Sequence, residues 1–285
     1  MSKGIIVVGS LHYDIFIDSP NLPRVGETVT GYKWYPKLGG KGGNQAIAAS
    51  LYPVPTTLIS AIGGDDFAKF ILDKLQKAKI NTNFIYQLSN HDSGMSVAIS
   101  NAKEDYGAVI VSGANLHVKT EALDNPDLWK NARILMIQNE INENTSILAA
   151  KKAKEKGLQV FYNAAPAKKI NPDFFNLVDI LLVNTIEARD ISGIKIDNLE
   201  DIKNVSKELS KRFPICIITA GAEGIVLCEK GKDPHHFKGI QVKVKSTHGA
   251  GDTFAGTFCA ALVSGKDITD AADIANKKAA EFISQ

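Results

Sequence analysis

The sequence predicts an α/β fold, built as a three-layer, doubly wound and mainly parallel sheet with a small β-sheet lid. Apolar β-branched runs alternate with segments of helical period over most of the chain, which is typical of a parallel sheet covered by helices on both faces. Two stretches have instead the partial alternation of antiparallel strands. With 285 residues, of which 44% are hydrophobic and 22% charged, the chain is long enough for one domain, residues 1–285.

The lid is predicted from two stretches that lack a helical period. The chain opens with a predicted strand at residues 4–10, G-I-I-V-V-G-S, which ends beyond a glycine. Residues 11–38 then alternate only in part and are interrupted by proline and glycine, and residues 93–111 have the pattern of a hairpin. We expect these stretches, over about 11–38 and 93–112, to form a lid inserted in the domain.

Regular alternation of predicted strands with predicted helices begins after a glycine-rich segment at residues 39–50. Strands are predicted at 57–62, 132–138, 158–163, 179–183 and 215–219, with two antiparallel strands at 224–229 and 241–245. Helices are predicted at 66–78, 143–156, 187–192, 199–212, 250–264 and 268–282. Ligands of such a fold bind outside the carboxyl ends of the strands, so the site is expected at that edge.

Composition excludes several classes of function. The formal charge of +2 is too small to indicate a nucleic-acid partner. The three cysteines, Cys216, Cys228 and Cys259, lie in apolar surroundings without C-x-x-C spacing, so we interpret them as core residues rather than zinc ligands or disulfides. No apolar run reaches transmembrane length, and we expect a cytoplasmic protein without a membrane partner.

The stretch 246–262, S-T-H-G-A-G-D-T-F-A-G-T-F-C-A-A-L, predicts an anion-binding turn at the start of a buried helix. Gly249, Ala250 and Gly251 carry almost no side chain, so a phosphate can approach the unpaired amides at the positive end of the helix dipole. Asp252 lies at the mouth of this hole. A carboxylate there is suited to take a proton from a hydroxyl that attacks the phosphate, and the alternative is a simple helix cap.

A second glycine-rich segment, G-G-K-G-G-N-Q-A, offers Lys41 and Asn44 as groups that grip hydroxyls. It matches neither a Walker A loop nor G-x-G-x-x-G, and the alternative is a flexible loop before a helix. Other polar residues follow predicted strands: Asn139, Glu140, Asn163, Asn184, Glu187 and the T-A-G turn at 219–221. Asn184 and Glu187 suit a hydrated Mg²⁺ with its phosphates, or else they cap a helix.

Together these segments resemble the ribokinase-like sugar kinases, the pfkB family, from residue 4 to about 282. The resemblance rests on G-G-K-G-G-N-Q-A together with G-E-T-V-T-G at 26–31, N-A-A-P-A at 163–167, N-T-I-E-A at 184–188 and G-A-G-D-T-F at 249–254. It implies Mg²⁺- and ATP-dependent transfer of the γ-phosphoryl group to the hydroxymethyl oxygen of a furanose sugar, with ribose as the first candidate. A nucleoside or another sugar is the alternative acceptor.

The resemblance also implies roles for individual residues. Asp252 would be the catalytic base, with the amides of Gly249, Ala250 and Gly251 stabilising the transferred group. The sugar would be held by His12, Asp14, Gly40, Lys41, Asn44, Glu140 and Asp252. The nucleotide side would be lined by Asn184, Thr219, Gly221, Gly251 and Asn276, with Glu187 binding Mg²⁺ through water. Members of the family use the lid sheet as a dimer clasp, which implies a homodimer.

Two positions depart from the family pattern. The first turn is G-S-L-H-Y-D, which places His12 where these kinases have a sugar-binding asparagine, so the hydroxyl pattern that is recognised differs. Ser246 stands where an aspartate of the cation loop is usual, and the chain stops soon after its last helix. We therefore expect K⁺ activation to be weak or absent.

Two hypotheses of other classes stay open at this stage. An NAD-dependent dehydrogenase has a similar sheet, but the sequence lacks G-x-G-x-x-G after the first strand and an acid about twenty residues later. A catalytically poor ligand-binding relative would explain the altered cation loop. Against it, a mere binding protein has no use for a base aimed at an anion hole.

Overall fold

The computed structural model describes residues 3–101 and 106–285. The strands are β1 (Gly4–Val8), β2 (His12–Asp18), β3 (Lys33–Gly39), β4 (Thr56–Gly63), β5 (Asn81–Leu88), β6 (Gly94–Ser100), β7 (Tyr106–Val111), β8 (Ala132–Gln138), β9 (Gln159–Asn163), β10 (Ile180–Asn184), β11 (Ile215–Thr219), β12 (Ile225–Glu229) and β13 (His235–Phe237). The α-helices are α1 (Lys41–Ser50), α2 (Asp66–Lys77), α3 (Pro126–Trp129), α4 (Glu143–Glu155), α5 (Pro172–Phe175), α6 (Thr185–Ser192), α7 (Leu199–Ser210), α8 (Ala250–Val263) and α9 (Ile268–Ile283).

The main sheet has the strand order β13-β12-β11-β10-β9-β8-β1-β4-β5. Its strands pair in parallel from β5 to β11, and β12 and β13 are antiparallel. Residues of β1 alternate between two cores: Ile6 and Val8 pack in the core that includes α4 and α7, and Ile5 and Val7 in the core that includes α1, α8 and α9. Both faces of the sheet are therefore covered, which confirms the predicted three-layer α/β class.

A second sheet has the order β3-β2-β6-β7. The pairs β2–β3 and β6–β7 are antiparallel, and β2 joins β6 in parallel. These strands come from the two stretches from which the lid was predicted, although residues 102–105 of the predicted hairpin lie outside the described residues. The small sheet thus brings the residues of β2 to the edge of the main domain.

Sequence patterns misplaced one edge strand and missed another. A strand at 241–245 was predicted, but these residues form none, and Val244 is 52% exposed, because their alternation has no apolar core to face. The antiparallel partner of β12 is instead β13, whose three residues are too few to produce a period. The edge strand β5 was not predicted at all, since its residues are only partly buried.

The helices α1 and α8 lie in close contact, and this contact positions the anion-binding turn. A Cβ on Gly256 would come within 2.4 Å of the Gln45 carbonyl oxygen and 2.6 Å of the Ala48 Cβ. Glycine at 256 therefore allows the two backbones to approach, which sets Asp252, one turn earlier in α8, against α1.

Across residues 3–101 and 106–285, the structure has no helix that is long and apolar enough to cross a membrane.

Candidate active site

The turn before α8 has the conformation that an anion-binding site requires. Gly249 precedes the helix in a left-handed conformation, with φ 84° and ψ 0°. Thr253 N–H donates to the Gly249 carbonyl oxygen at 2.9 Å, so the amides of Gly251 and Asp252 precede the first intrahelical bond. The Ala250 amide, in contrast, donates to the Thr247 carbonyl oxygen at 3.2 Å. The backbone donors that are best placed for a phosphate are therefore those of Gly251 and Asp252.

Asp252 is buried, and its carboxylate is held by side chains of α1. Gln45 Nε2 donates to Oδ1 at 2.9 Å, and Asn44 Nδ2 donates to Oδ2 at 3.3 Å. Burial raises the pKa of Asp252, and the opposing effects of the Lys41 charge and of these two amide donors do not cancel it. The alternative interpretation of Asp252 as a helix cap is wrong, because the residue at the cap position is Gly249 and no side chain bonds there.

Lys41 lies at the start of α1 among three carboxylates. Burial lowers the pKa of Lys41, but the negative charges of Asp252, Glu140 and Glu187 raise it by more. The net shift of the pKa is upward, so the ammonium group stays charged. Glu140 is anchored nearby, where its Oε2 accepts from the Lys41 backbone N–H at 2.8 Å and from Ser10 Oγ at 2.5 Å. One positive charge thus lies among three acids at the carboxyl edge of the sheet.

His12 and Asp14 lie two residues apart on β2 and therefore on the same face of the lid sheet. Asp14 Oδ1 accepts from Ser96 Oγ at 2.5 Å, and Oδ2 lies 3.9 Å from His248 Nε2. His12 is 3% exposed, and its Nε2 has no hydrogen-bond partner among the described residues. A buried polar atom without a partner is costly, so a polar ligand atom is the natural partner for it.

Two neighbouring cavities bring most of the predicted residues together. The larger, of about 560 Å³, is lined by Lys41, Asn184, Glu187, Thr219, Gly249, Gly251 and Asp252 among others. The smaller, of about 370 Å³, is lined by Asp14 and Asn44 and by several apolar side chains. His248 and Gly249 line both, so the cavities meet at the turn before α8.

Two predicted nucleotide-side residues lie elsewhere. Asn276 does not line either cavity, and its Nδ2 donates to the Lys238 carbonyl oxygen at 3.0 Å. Gly221 begins a short 3₁₀ turn, Gly221–Glu223, and is not a lining residue either. In this conformation of the protein, neither residue faces the space in front of α8.

Asn184 and Glu187 form a capping box at the start of α6. Asn184 Oδ1 accepts from the Glu187 N–H at 2.9 Å, and Glu187 Oε2 accepts from the Asn184 N–H at 2.9 Å. The cap interpretation is therefore confirmed, and Glu187 also lines the larger cavity, where burial raises its pKa. No group of three or more metal-ligating side chains occurs in the part of the chain that the structure describes.

Sequence reasoning missed several residues that support this site. Gln45 bonds Asp252, Gln138 Nε2 donates to Gln45 Oε1 at 2.8 Å, Ser10 bonds Glu140, and Ser96 bonds Asp14. Gln45 had a signal, since it follows Asn44 in the glycine-rich segment. The others had none, because a single serine or glutamine at a strand end has many uses.

Comparison with known proteins gives consistent matches over the whole chain. The pfkB family of carbohydrate kinases matches residues 2–285. The ribokinase of Haemophilus influenzae is 32% identical over 273 residues, covering 95% of this chain and 89% of the relative. The ribokinase of Staphylococcus aureus (strain COL) is 32% identical over 281 residues, covering 97% and 92%. The structure of Arabidopsis thaliana ribokinase complexed with ribose and ATP superposes with a TM-score of 0.91 at 26% identity, covering 100% of this chain and 94% of that chain.

Proposed function

Because the chain belongs to the pfkB family of carbohydrate kinases, we propose that it transfers the γ-phosphoryl group of ATP to the hydroxymethyl oxygen of ribose. It is a phosphotransferase with an alcohol group as acceptor. The observation that carries the proposal is the buried Asp252 carboxylate, oriented by Asn44 and Gln45 beside the first-turn amides of α8. A base at an anion hole serves group transfer, whereas a dehydrogenase or a mere binding protein does not need one.

The proposed reaction uses mainly position and charge. Asp252 accepts the proton of the acceptor hydroxyl, whose oxygen forms the new bond to the γ-phosphorus as the bond to the β–γ bridging oxygen breaks, and ADP leaves. The amides of Gly251 and Asp252 and the Lys41 ammonium stabilise the charge on the transferred group. The fixed geometry of α1 against α8 supports this role, because preorganised donors need not be rearranged during the reaction.

The acceptor is proposed to lie where the two cavities meet. His12, Asp14 and Asn44 would bind its hydroxyls, and Gly40, Lys41 and Glu140 would shape the rest of the site. Support comes from His12 Nε2, which has no hydrogen-bond partner among the residues that the structure describes, and from Asp14 Oδ2, which lies 3.9 Å from His248 Nε2. Ribose has several hydroxyl groups and suits such donors and acceptors.

The nucleotide is proposed to lie along Asn184, Thr219 and Gly251 in the larger cavity. Gly221 and Asn276 would approach the adenine after a local rearrangement. Glu187 is the carboxylate that would hold Mg²⁺ there, through water. Only one of its oxygens is used by the capping box, and Mg²⁺ is usually bound by one or two carboxylates together with phosphates and waters, so the residues present fit the ion. The ion would neutralise phosphate charge.

A substrate panel tests the proposal directly. The purified protein is incubated with Mg·ATP and ribose, deoxyribose, fructose, adenosine, inosine, cytidine or pseudouridine, and ADP formation is measured. Turnover on ribose with the highest kcat/KM of the panel supports the ribose assignment. Absence of ADP formation on every compound would contradict it and favour the ligand-binding alternative.

The smaller cavity favours a nucleoside as the second candidate acceptor. Its lining includes five large apolar side chains beside polar and charged ones such as Asp14, Asn44, Lys37 and Lys278; the apolar ones are Phe16, Leu38, Ile47, Leu51 and Phe282. A free pentose has little apolar surface to bury there, whereas a base attached to the sugar would fill such a space. A higher kcat/KM for adenosine, inosine, cytidine or pseudouridine than for ribose would select this alternative within the same panel.

Monovalent cations are expected to have little effect. Ser246 has a neutral hydroxyl at the position where an aspartate of the cation loop is usual, so the loop lacks the charge that would hold K⁺. Replacing Na⁺ with K⁺ at constant ionic strength is expected to change kcat by less than about twofold. A several-fold increase in the ADP-formation assay would contradict the prediction.

The lid is proposed to form a homodimer interface. Apolar side chains on its strands are exposed, among them Trp34 (63%) and Val109 (68%), and exposed apolar patches mark association sites. Trp34→Glu is expected to convert a dimer to a monomer in light scattering after size exclusion. Ile194→Glu changes an exposed apolar residue between α6 and α7 and is expected to leave the dimer intact. A monomeric unmodified protein at micromolar concentration would refute the proposal.

A further inference from the structure

We propose that two buried glutamines, Gln45 and Gln138, are positioning residues that direct the proton of the acceptor hydroxyl to the Oδ2 atom of Asp252. The inference rests on the proposed function, since it refines how the base of that reaction is held. The two glutamines and Asp252 come from α1, the end of β8 and the first turn of α8. They form one hydrogen-bonded chain, here called the amide relay.

The amide relay is short and fully enclosed. Gln138 Nε2 donates to Gln45 Oε1 at 2.8 Å, and Gln45 Nε2 donates to Asp252 Oδ1 at 2.9 Å. Gln45 is 0% exposed and Gln138 is 1% exposed, so water does not compete for either bond. The two hydrogen bonds have the same direction: Gln138 donates to Gln45, and Gln45 donates to the Asp252 carboxylate.

This direction is determined by the chemistry of an amide, which donates only through nitrogen and accepts through oxygen. Since Gln45 presents its nitrogen to Asp252, its oxygen must face Gln138, and Gln138 must donate. The Gln138 Oε1 then turns towards Gly9, where it has no partner among the described residues. An unpaired buried oxygen is unfavourable. The relay keeps this arrangement because a reversed one would set the Gln45 oxygen against the Asp252 carboxylate.

The two carboxylate oxygens of Asp252 are consequently unequal. Oδ1 accepts the hydrogen bond from Gln45, and a proton on Oδ1 would require both glutamine amides to rotate so that their oxygen and nitrogen atoms exchange places. Oδ2 has the longer bond, 3.3 Å from Asn44 Nδ2, and Asn44 also lines the cavity where the acceptor is proposed to bind. When the acceptor O–H bond breaks, the proton therefore bonds to Oδ2. The electron pair on the acceptor oxygen forms the bond to the γ-phosphorus as the bond to the β–γ bridging oxygen breaks and ADP leaves.

Charged groups around Asp252 set its ionisation together with the relay. Burial raises its pKa, Lys41 and the Gln45 bond lower it, and Glu140 raises it. His248, on the preceding loop, lines the same cavity. Loss of the Gln45 donor removes a hydrogen bond that stabilises the carboxylate, so the pKa of Asp252 is expected to rise when Gln45 is replaced.

Gln45→Met tests the relay, because methionine has a similar length and no donor. We expect kcat to fall about 10- to 100-fold, the loss typical of one hydrogen bond to a charged group, while the acceptor KM changes less than about threefold. The acid limb of the kcat profile moves to higher pH. Gln138→Met is expected to lower kcat and to move the acid limb in the same direction, but by less than Gln45→Met does. The double variant is no worse than Gln45→Met alone, since the relay is already broken.

The control is Thr257→Val, which alters a buried residue of α8 whose hydroxyl has no recorded partner in the described chain. It is expected to leave the pH profile unchanged. A second readout does not need turnover: ¹³C NMR of protein labelled at aspartate, with the Asp252 resonance assigned from Asp252→Asn. If Gln45→Met raises the pH at which this carboxyl titrates, the relay is supported even when no acceptor of the panel reacts. An unchanged titration, or additive effects of the two glutamine variants, overturns it.

Discussion

Replacing Asp252 with asparagine is expected to lower kcat by about 10²- to 10⁴-fold, the contribution of a well-placed general base. The substitution is isosteric, so the oxygen of the new amide still accepts from Gln45 Nε2, and Asn44 can present its own oxygen to the new nitrogen. Acceptor binding by isothermal titration calorimetry is expected to change less than about threefold. Because geometry and binding are retained, the loss isolates proton transfer.

The same variant has an expected effect on stability with a defined pH dependence. Burial raises the pKa of Asp252 above that of the unfolded chain, so this carboxyl contributes stability that is present below its unfolded pKa and is lost as the pH rises through its folded pKa. Above the folded pKa the protein therefore holds an unfavourable buried charge. Asp252→Asn is expected to raise the melting temperature at a pH above the folded pKa, and this gain shrinks as the pH falls through the folded pKa and is gone below the unfolded pKa.

Asp267→Asn is the control for the expected changes in kcat and melting temperature. Asp267→Asn changes the residue that caps α9, and asparagine caps a helix as well as aspartate does, so kcat and melting temperature are expected to stay unchanged. Turnover of Asp252→Asn close to that of the unmodified protein would exclude Asp252 as the base. A melting temperature that Asp252→Asn lowers at alkaline pH would show that the charge stabilises the fold instead.

The fold was predictable where a pattern is repeated along an element. The run at β1 and the amphipathic period of α7 are determined by burial on a regular surface, which a local window of sequence contains. The edge strand β5 and the three-residue β13 were missed or misplaced because their pairing depends on a neighbouring strand rather than on their own period. Edge strands bury few residues, so their sequences are weakly constrained.

The candidate site was predictable in its loops but not in its supporting contacts. Glycines next to Lys41 and Asp252 are visible in the sequence because a close ligand approach excludes side chains. The bonds that orient Asp252 join residues far apart in the chain: Gln45 and Asp252 are separated by 207 positions, and Gln138 and Gln45 by 93. Such contacts arise from the packing of α1, α8 and β8, and no local pattern encodes them. The same holds for His12 Nε2, because its lack of a hydrogen-bond partner within residues 3–101 and 106–285 is a property of the folded interior.

Gly251→Ala is expected to stabilise the protein and, at the same time, to lower kcat by about 10²- to 10³-fold, the loss that follows removal of one anion-hole donor. Gly251 lies in the first turn of α8, and a Cβ built there meets no atom within 4 Å. Packing therefore does not require glycine. Alanine favours a helix by about 0.5–1 kcal/mol over glycine, which corresponds to about 1–4 °C in melting temperature for a chain of this size.

The expected loss of turnover follows from where the added methyl group lies. Gly251 lines the larger cavity, so the methyl occupies the space through which a phosphate reaches the amides of Gly251 and Asp252. Asn204→Ala, on the exposed face of α7, is the matched control, because it raises helix propensity without touching the cavity and should leave kcat unchanged. Gly249→Ala should instead lose stability, since Gly249 has φ 84° and the Phe282 ring lies 3.2 Å from the new Cβ. Undiminished turnover of Gly251→Ala would mean that the phosphate does not approach α8 at this point, and the anion hole would have to be sought elsewhere.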